Sequence, residues 1–281
     1  MKKMIALALC IIMMLSLVAC GKKEAAPEET LKVAISPDFA PMEFVDTSKS
    51  GQEQFVGFDI TLANYIAEGL GKTLEIMPMS FDACQTAVQL GTVDMSISGF
   101  SWTAEREENF GISDYYIAGD NETEQVIITL AENAGKLTKA EDYANLKVGA
   151  QIASLQEKLC SDELPETTEI MQFKDINDGV LAMQTGKIDA MAVAKGNGEA
   201  IIANNPDIAE SGFEFEVDPK YENNVILLNK ADTELLKQVN ELLAKALEAD
   251  YYTGWYEDAK ALAGIATAAD VSYDEEGNVA G

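Results

Sequence analysis

Apolar and polar positions alternate along the chain with two different periods. Leu31-Lys32-Val33-Ala34-Ile35 is a short run of β type. Ile60, Ala63, Ile66, Ala67 and Leu70 fall on one helical face, which predicts a helix capped by Asp59 and running to Gly71. Leu74-Glu75-Ile76 reads as the next strand, and Phe81 and Asp82 begin a helix that ends at Gly91. Val93-Asp94-Met95-Ser96-Ile97 follows as a strand. Further strands are expected at Gln125 to Leu130 and at Val225 to Leu228. An amphipathic helix from about Asp232 to Asp250 carries Leu235, Leu236, Val239, Leu242, Leu243, Ala246 and Leu247 on its apolar side. A last helix over 255–263 precedes an acidic tail, Asp270 to Gly281, whose end reads as frayed. Strands alternating with helices of this length predict an α/β protein with mostly parallel sheets.

The pattern partly repeats. Leu31 to Ile35 matches Leu146-Lys147-Val148-Gly149-Ala150. Ala87-Val88-Gln89-Leu90-Gly91-Thr92-Val93-Asp94 matches Ala182-Met183-Gln184-Thr185-Gly186-Lys187-Ile188-Asp189. Each of the second pair is a helix end, a terminating Gly and a strand. Two lobes of like topology follow, with lobe 1 over 31–120 and 225–281 and lobe 2 over 121–224. The chain crosses between them near Ala118 to Thr123 and again near Asn223 to Ile226. Two crossings make a two-strand hinge able to close over a ligand.

The N-terminus adds a leader. Lys2 and Lys3 precede an apolar run from Met4 to Val18, and the run closes on Leu17-Val18-Ala19-Cys20-Gly21. This resembles the lipobox of bacterial lipoproteins. It implies a signal peptide over 1–19, a lipidated Cys20, and a polar tether to residue 30. The mature protein is then expected outside the cytoplasm, held at a membrane by its acylated end. No later stretch of sequence is apolar and long enough to span a membrane.

Composition narrows the chemistry. There are 281 residues, with 48 acidic against 20 basic and a net charge of −28, which disfavours any nucleic-acid partner. Having no His, the chain lacks the commonest general base and metal ligand, so no catalytic residues, metal or cofactor are expected. Cys10 and Cys20 lie in the leader. Cys84 and Cys160 are each on an expected helix, either as free thiols or as one disulfide.

The stretch Ser98-Gly99-Phe100-Ser101-Trp102-Thr103-Ala104-Glu105-Arg106 is where chemistry concentrates. A small-residue turn after a strand exposes backbone N–H groups and hydroxyls. Arg106 follows one helical turn later and can grip a carboxylate with two parallel hydrogen bonds. The lesser alternative is that it pairs with Glu105, Glu107 or Glu108 on a solvated face.

The stretch resembles the Ser/Gly-x-Thr/Ser-x-Thr-x-x-Arg segment of the amino-acid-binding proteins that serve ABC importers. Other phrases of that solute-binding family occur in order. They are Ser36-Pro37-Asp38-Phe39-Ala40-Pro41, Val56-Gly57-Phe58-Asp59-Ile60, Leu90 to Asp94, Phe110-Gly111-Ile112-Ser113-Asp114-Tyr115-Tyr116, Val148-Gly149-Ala150-Gln151 and Gly186-Lys187-Ile188-Asp189-Ala190.

The resemblance implies the two-lobed type II periplasmic-binding-protein fold, with the ligand between the lobes. It places Phe39 and Phe81 as aromatic walls, the Gly99 carbonyl toward the ligand's ammonium, and Ser101 and Arg106 on its carboxylate. Ala153-Ser154-Leu155-Gln156 matches the turn that offers N–H groups at a helix start, so Ser154 and Leu155 join the site. Trp102 corresponds to a variable apolar position and reads as packing.

One position departs from the family. An acid that pairs with the ligand's ammonium is replaced by Ala194. Either the ligand lacks a free ammonium or another acid, such as Asp38 or Glu199, serves instead. The resemblance implies a monomeric, lipid-anchored receptor that hands a small carboxylate to an ABC permease. The other readings on the same fold are a sensing module for a signalling receptor and a dehydratase of cyclic acids.

Overall fold

The computed structural model describes residues 29–116, 123–221 and 223–265. The leader, Cys20, nearly all of the tether, the acidic tail and positions 117–122 of the first crossing lie outside the described residues.

Two five-stranded sheets form the centres of two lobes. The first has the order Thr73–Pro78, Thr30–Ile35, Met95–Ser101, Asn224–Leu228, Gly111–Ile112. The second has the order Glu169–Phe173, Lys147–Gln151, Ala190–Ala194, Gln125–Leu130, Ile208–Glu214. Both follow one plan. Three strands are parallel, the fourth is antiparallel, and the fifth, antiparallel to the fourth, returns to the first direction. In both sheets the antiparallel strand is the first one built after the chain changes lobe. The reversal is therefore the topological mark of each crossing.

The repeated phrases occupy equivalent places. Thr30–Ile35 and Lys147–Gln151 are both second in their sheets. The helices Phe81–Leu90 and Ile176–Gln184 both run into a left-handed Gly, Gly91 at φ 66° and Gly186 at φ 70°.

In the first lobe, Leu62, Ala63 and Ile66 of the helix Phe58–Gly69 are buried together with Val239, Leu243 and Ala246 of the helix Thr233–Glu248. Tyr252 and Tyr256 of the helix Tyr251–Ala263 complete this core. Leu247, expected on the apolar side, is exposed although Ala246 beside it is buried, because it lies about 100° further round the helix, at the margin of the apolar stripe.

Asp59 also departs from expectation. The helix is capped at Gly57, and Asp59 is its second residue, wholly buried and turned inward. Cys84 and Cys160 are buried free thiols in separate core clusters. Trp102 stacks on Tyr221 with ring centroids 6.2 Å apart. Among the described residues no helix is long and apolar enough to cross a membrane.

Candidate functional site

Every parallel strand of the second sheet hands the chain to a helix at the same edge. Leu155–Glu163 follows Lys147–Gln151, Ile176–Gln184 follows Glu169–Phe173, and Lys195–Asn204 follows Ala190–Ala194. Backbone N–H groups at helix starts have no partner within the helix, so this edge collects donors. The first lobe presents its own corresponding edge. Ser36 to Phe39 follow the strand Thr30–Ile35, Phe81 follows Thr73–Pro78, and Ser98 to Ser101 end the strand Met95–Ser101.

The two edges face each other across a narrow cleft. Phe39, Phe81, Gly99, Ser101 and Arg106 line it from the first lobe, and Ser154, Leu155 and Ala194 from the second. The structure thus brings together all eight residues that the sequence singled out.

Arg106 is the charge at the centre of this arrangement. It lies in the short helix Ala104–Asn109, started by Thr103, whose hydroxyl accepts the Arg106 N–H at 3.1 Å. The residue is 5% exposed. It donates to the Ser101 carbonyl at 2.6 Å and to the Ala153 carbonyl at 2.9 Å, one from each lobe. The carbon of the guanidinium sits 5.5 Å from the centre of the Phe81 ring and 5.2 Å from that of Phe100. Burial pulls its pKa down to about 10. Among the described residues it forms no salt bridge; it meets neutral carbonyls and ring faces directly, and exposed Glu105 is the charge that bears on it. Such a group is poised for an anion.

Gly99 adopts φ 54°, and a Cβ there would lie 2.6 Å from the Phe39 ring. The close approach lets Phe39 pack against core residues of both lobes. Ser154 caps its helix by accepting the Glu157 N–H at 3.1 Å. Ala153, just before it, holds a left-handed φ of 63°, which is uncommon for a residue with a side chain. Ala194 is the N-cap of the helix Lys195–Asn204 and offers no side-chain cap.

Further residues line the cleft: Asp38, weighed from sequence as an alternative anchor, and Gln125, Gln151 and Gln156, which were given no role of their own. Asp38 spans the cleft: its carboxylate accepts from Gln151 Nε2 at 2.9 Å and from the Ile176 N–H at 2.6 Å, both in the other lobe. Its other oxygen accepts from Ser36 Oγ at 2.8 Å. Burial raises its pKa to about 6. Of the two acids considered as a replacement anchor, Asp38 lines the cleft and Glu199 does not. Gln125 and Gln156 also line it, joined by a 2.5 Å hydrogen bond. The available signal for this group was position: Gln151 ends a parallel strand, Gln156 lies in the first turn of the helix that follows, and Gln125 opens the strand paired to Ala194.

The model of the bacterial extracellular solute-binding proteins, family 3, matches residues 31–258. A probable histidine-binding protein of Campylobacter jejuni is 29% identical over 247 residues, covering 82% of this chain and 92% of that protein. The arginine-binding extracellular protein ArtP of Bacillus subtilis is 27% identical, covering 86% of this chain and 92% of its own length. Among solved structures, the amino acid ABC transporter substrate-binding protein AbpA of Streptococcus pneumoniae, bound to L-arginine, superposes with a TM-score of 0.76. It is 32% identical and covers 83% of this chain and 95% of its own.

Proposed function

The chain belongs to the bacterial extracellular solute-binding proteins, family 3, and on that premise we propose that its cleft captures an amino acid or a close derivative for delivery to an ABC permease. The observation that carries this reading is Arg106, a buried guanidinium with no directly paired charge among the described residues, in a cleft between two lobes. The ligand's carboxylate supplies that charge. Ser101 and the helix start at Ser154 and Leu155 add a hydroxyl and N–H groups to the same anion. Phe39 and Phe81 flank the ligand's carbon skeleton and exclude water from it. The protein binds and releases and has no catalytic role.

Closure follows from the two crossings. Residues 31–120 and 225–281 move as one lobe against 121–224, and the bound ligand ties the two edges together. Asp38 already bridges them through Gln151 and the Ile176 N–H. The mature chain is a monomer held at the extracytoplasmic face of the cell membrane by acylated Cys20, which places the cleft beside the permease.

Asp38 takes three donors and Ala194 offers a methyl group, so the ligand's nitrogen meets amides, hydroxyls and carbonyls. A thermal-shift screen over the amino acids and their N-acylated and deaminated derivatives tests the function. A cleft ligand at one hundred times its Kd stabilises the folded protein by about 2.7 kcal/mol. A clear shift with at least one carboxylate, lost in Arg106→Lys, supports the reading. No shift with any carboxylate overturns it.

A further inference from the structure

Two acids stand behind the cleft without reaching it. Glu43, in the strand Glu43–Val45, and Asp59, in the helix Phe58–Gly69, are each 0% exposed. Glu43 Oε1 accepts from Ser98 Oγ, and the same hydroxyl oxygen accepts the Ser36 N–H at 3.0 Å. Asp59 Oδ2 accepts the Gly99 N–H at 2.8 Å and the Tyr116 hydroxyl at 3.1 Å. Ser36, Ser98 and Gly99 all line the cleft. The acids therefore grip consecutive residues of the lining strand from its rear. They do so where pairing to Asn224–Leu228 shifts register, so that the Gly99 N–H turns to a side chain.

Each acid keeps a second oxygen, Glu43 Oε2 and Asp59 Oδ1, that receives no donor. The two side chains are within hydrogen-bonding reach of one another. The charges that bear on Glu43 are those of Asp59 and Asp38, all of one sign. Two ionised carboxylates cannot share a dry site without a cation, whereas one proton between them satisfies both orphan oxygens at once.

We propose that Glu43 and Asp59 share one proton as a buried carboxylic acid–carboxylate pair that fixes Ser98 and Gly99 in the geometry the ligand meets. Glu43 is the protonated partner. Its hydroxyl donates to Asp59 Oδ1, and its carbonyl oxygen accepts from Ser98. Asp59 remains the anion because the Gly99 N–H and the Tyr116 hydroxyl already stabilise it. Burial first, and then the charge of Asp59, holds the Glu43 carboxyl well above the ordinary carboxylate range. Asp59 reaches only about 6, its burial being offset by those donors. Both groups are positioning residues, since neither lines the cleft.

The arm of the test that reads binding rests on the proposed function; the spectroscopic arm does not. Infrared spectra of the unliganded protein at neutral pH are compared between wild type and Glu43→Gln. The wild type should show the C=O stretch of an un-ionised carboxylic acid, absent from the variant. Glutamine keeps both hydrogen bonds, its amide N–H donating to Asp59 and its oxygen accepting from Ser98. With L-glutamine and L-arginine as probes, Glu43→Gln should bind within about threefold of wild type. Glu43→Met fills similar space without a polar atom and should lose about tenfold or more. If Glu43→Met does not fold, or neither probe binds, the infrared comparison decides alone. The proposal is overturned if the wild type shows no acid band, if the band survives in Glu43→Gln, or if Glu43→Gln binds as weakly as Glu43→Met.

Discussion

Placing a carboxylate at Ala194 tests most directly whether the second lobe lacks an anchor for the ligand's ammonium. Ala194 is 1% exposed and ends the strand Ala190–Ala194 on the cleft wall. It is also the N-cap of the helix Lys195–Asn204, at φ −66° and ψ 147°, an extended conformation that a capping Asp adopts without strain. In Ala194→Asp one oxygen is free to cap the helix, worth about 1 kcal/mol, with a further ~0.3–1 kcal/mol from the helix dipole. These gains offset part of the cost of burying the new charge, and they arise with or without ligand. Thermal stability is therefore the wrong readout, and the dissociation constant is the right one. The second oxygen meets the ligand's ammonium. A hydrogen bond between charged groups contributes about 1.5–3 kcal/mol, or roughly ten- to more than a hundredfold in Kd. Titration calorimetry with glutamine, arginine and histidine should show tightening of that order in the variant. An N-acetylated amino acid, having no ammonium, should gain nothing. The reasoning is refuted if the wild type already binds a free amino acid below micromolar and Ala194→Asp binds it less well. That outcome would place the anchor elsewhere, with Asp38 the acid on the lining to examine.

Arg106→Lys keeps the charge but loses the planar fork that reaches Ser101 and Ala153, and should cost about 2–5 kcal/mol of binding; unchanged affinity in calorimetry would demote Arg106 to a structural role. Gly99→Ala puts a Cβ 2.6 Å from Phe39 at φ 54°, and urea denaturation should show a loss of about 1–3 kcal/mol. Asp38 binds its proton more tightly when folded, with a pKa of about 6 against an ordinary 3.8, so its contribution to stability falls as pH rises through that window and is flat above it. Thermal unfolding of Asp38→Asn should accordingly gain on wild type between pH 4 and about 6, and a pH-independent difference would exclude the effect. Metabolic labelling with a fatty acid should mark the wild type and not Cys20→Ala; label surviving the substitution would refute acylation at Cys20.

The sequence carried local information faithfully, and the structure shows where that kind of information stops. The terminating glycines 91 and 186 and the repeated strand–helix phrases are written in short spacings and lie where those spacings placed them, whereas the eight lining residues came from the family resemblance, and the structure shows that they share one cleft. Asp59 was misjudged for a physical reason. An acid just before an apolar periodic run looks like a cap, but its partner Gly99 lies 40 positions away. Asp38 meets Gln151 across 113 positions and Ile176 across 138, so no local pattern could reveal the bridge. Leu247 is apolar by type but lies at the margin of the helix's buried stripe, and it is exposed beside a fully buried Ala246. Arg106 is the sharpest case. It sits among Glu105, Glu107 and Glu108, and a helix of six residues is too short for periodicity to tell an inner face from an outer one. Those three glutamates are exposed and Arg106 is buried, because the opposite lobe supplies the Ala153 carbonyl that covers it. What turns this residue from a surface charge into a candidate anion clamp is therefore a contact between lobes, and a charge whose burial depends on that contact is one that opening of the cleft would return to water.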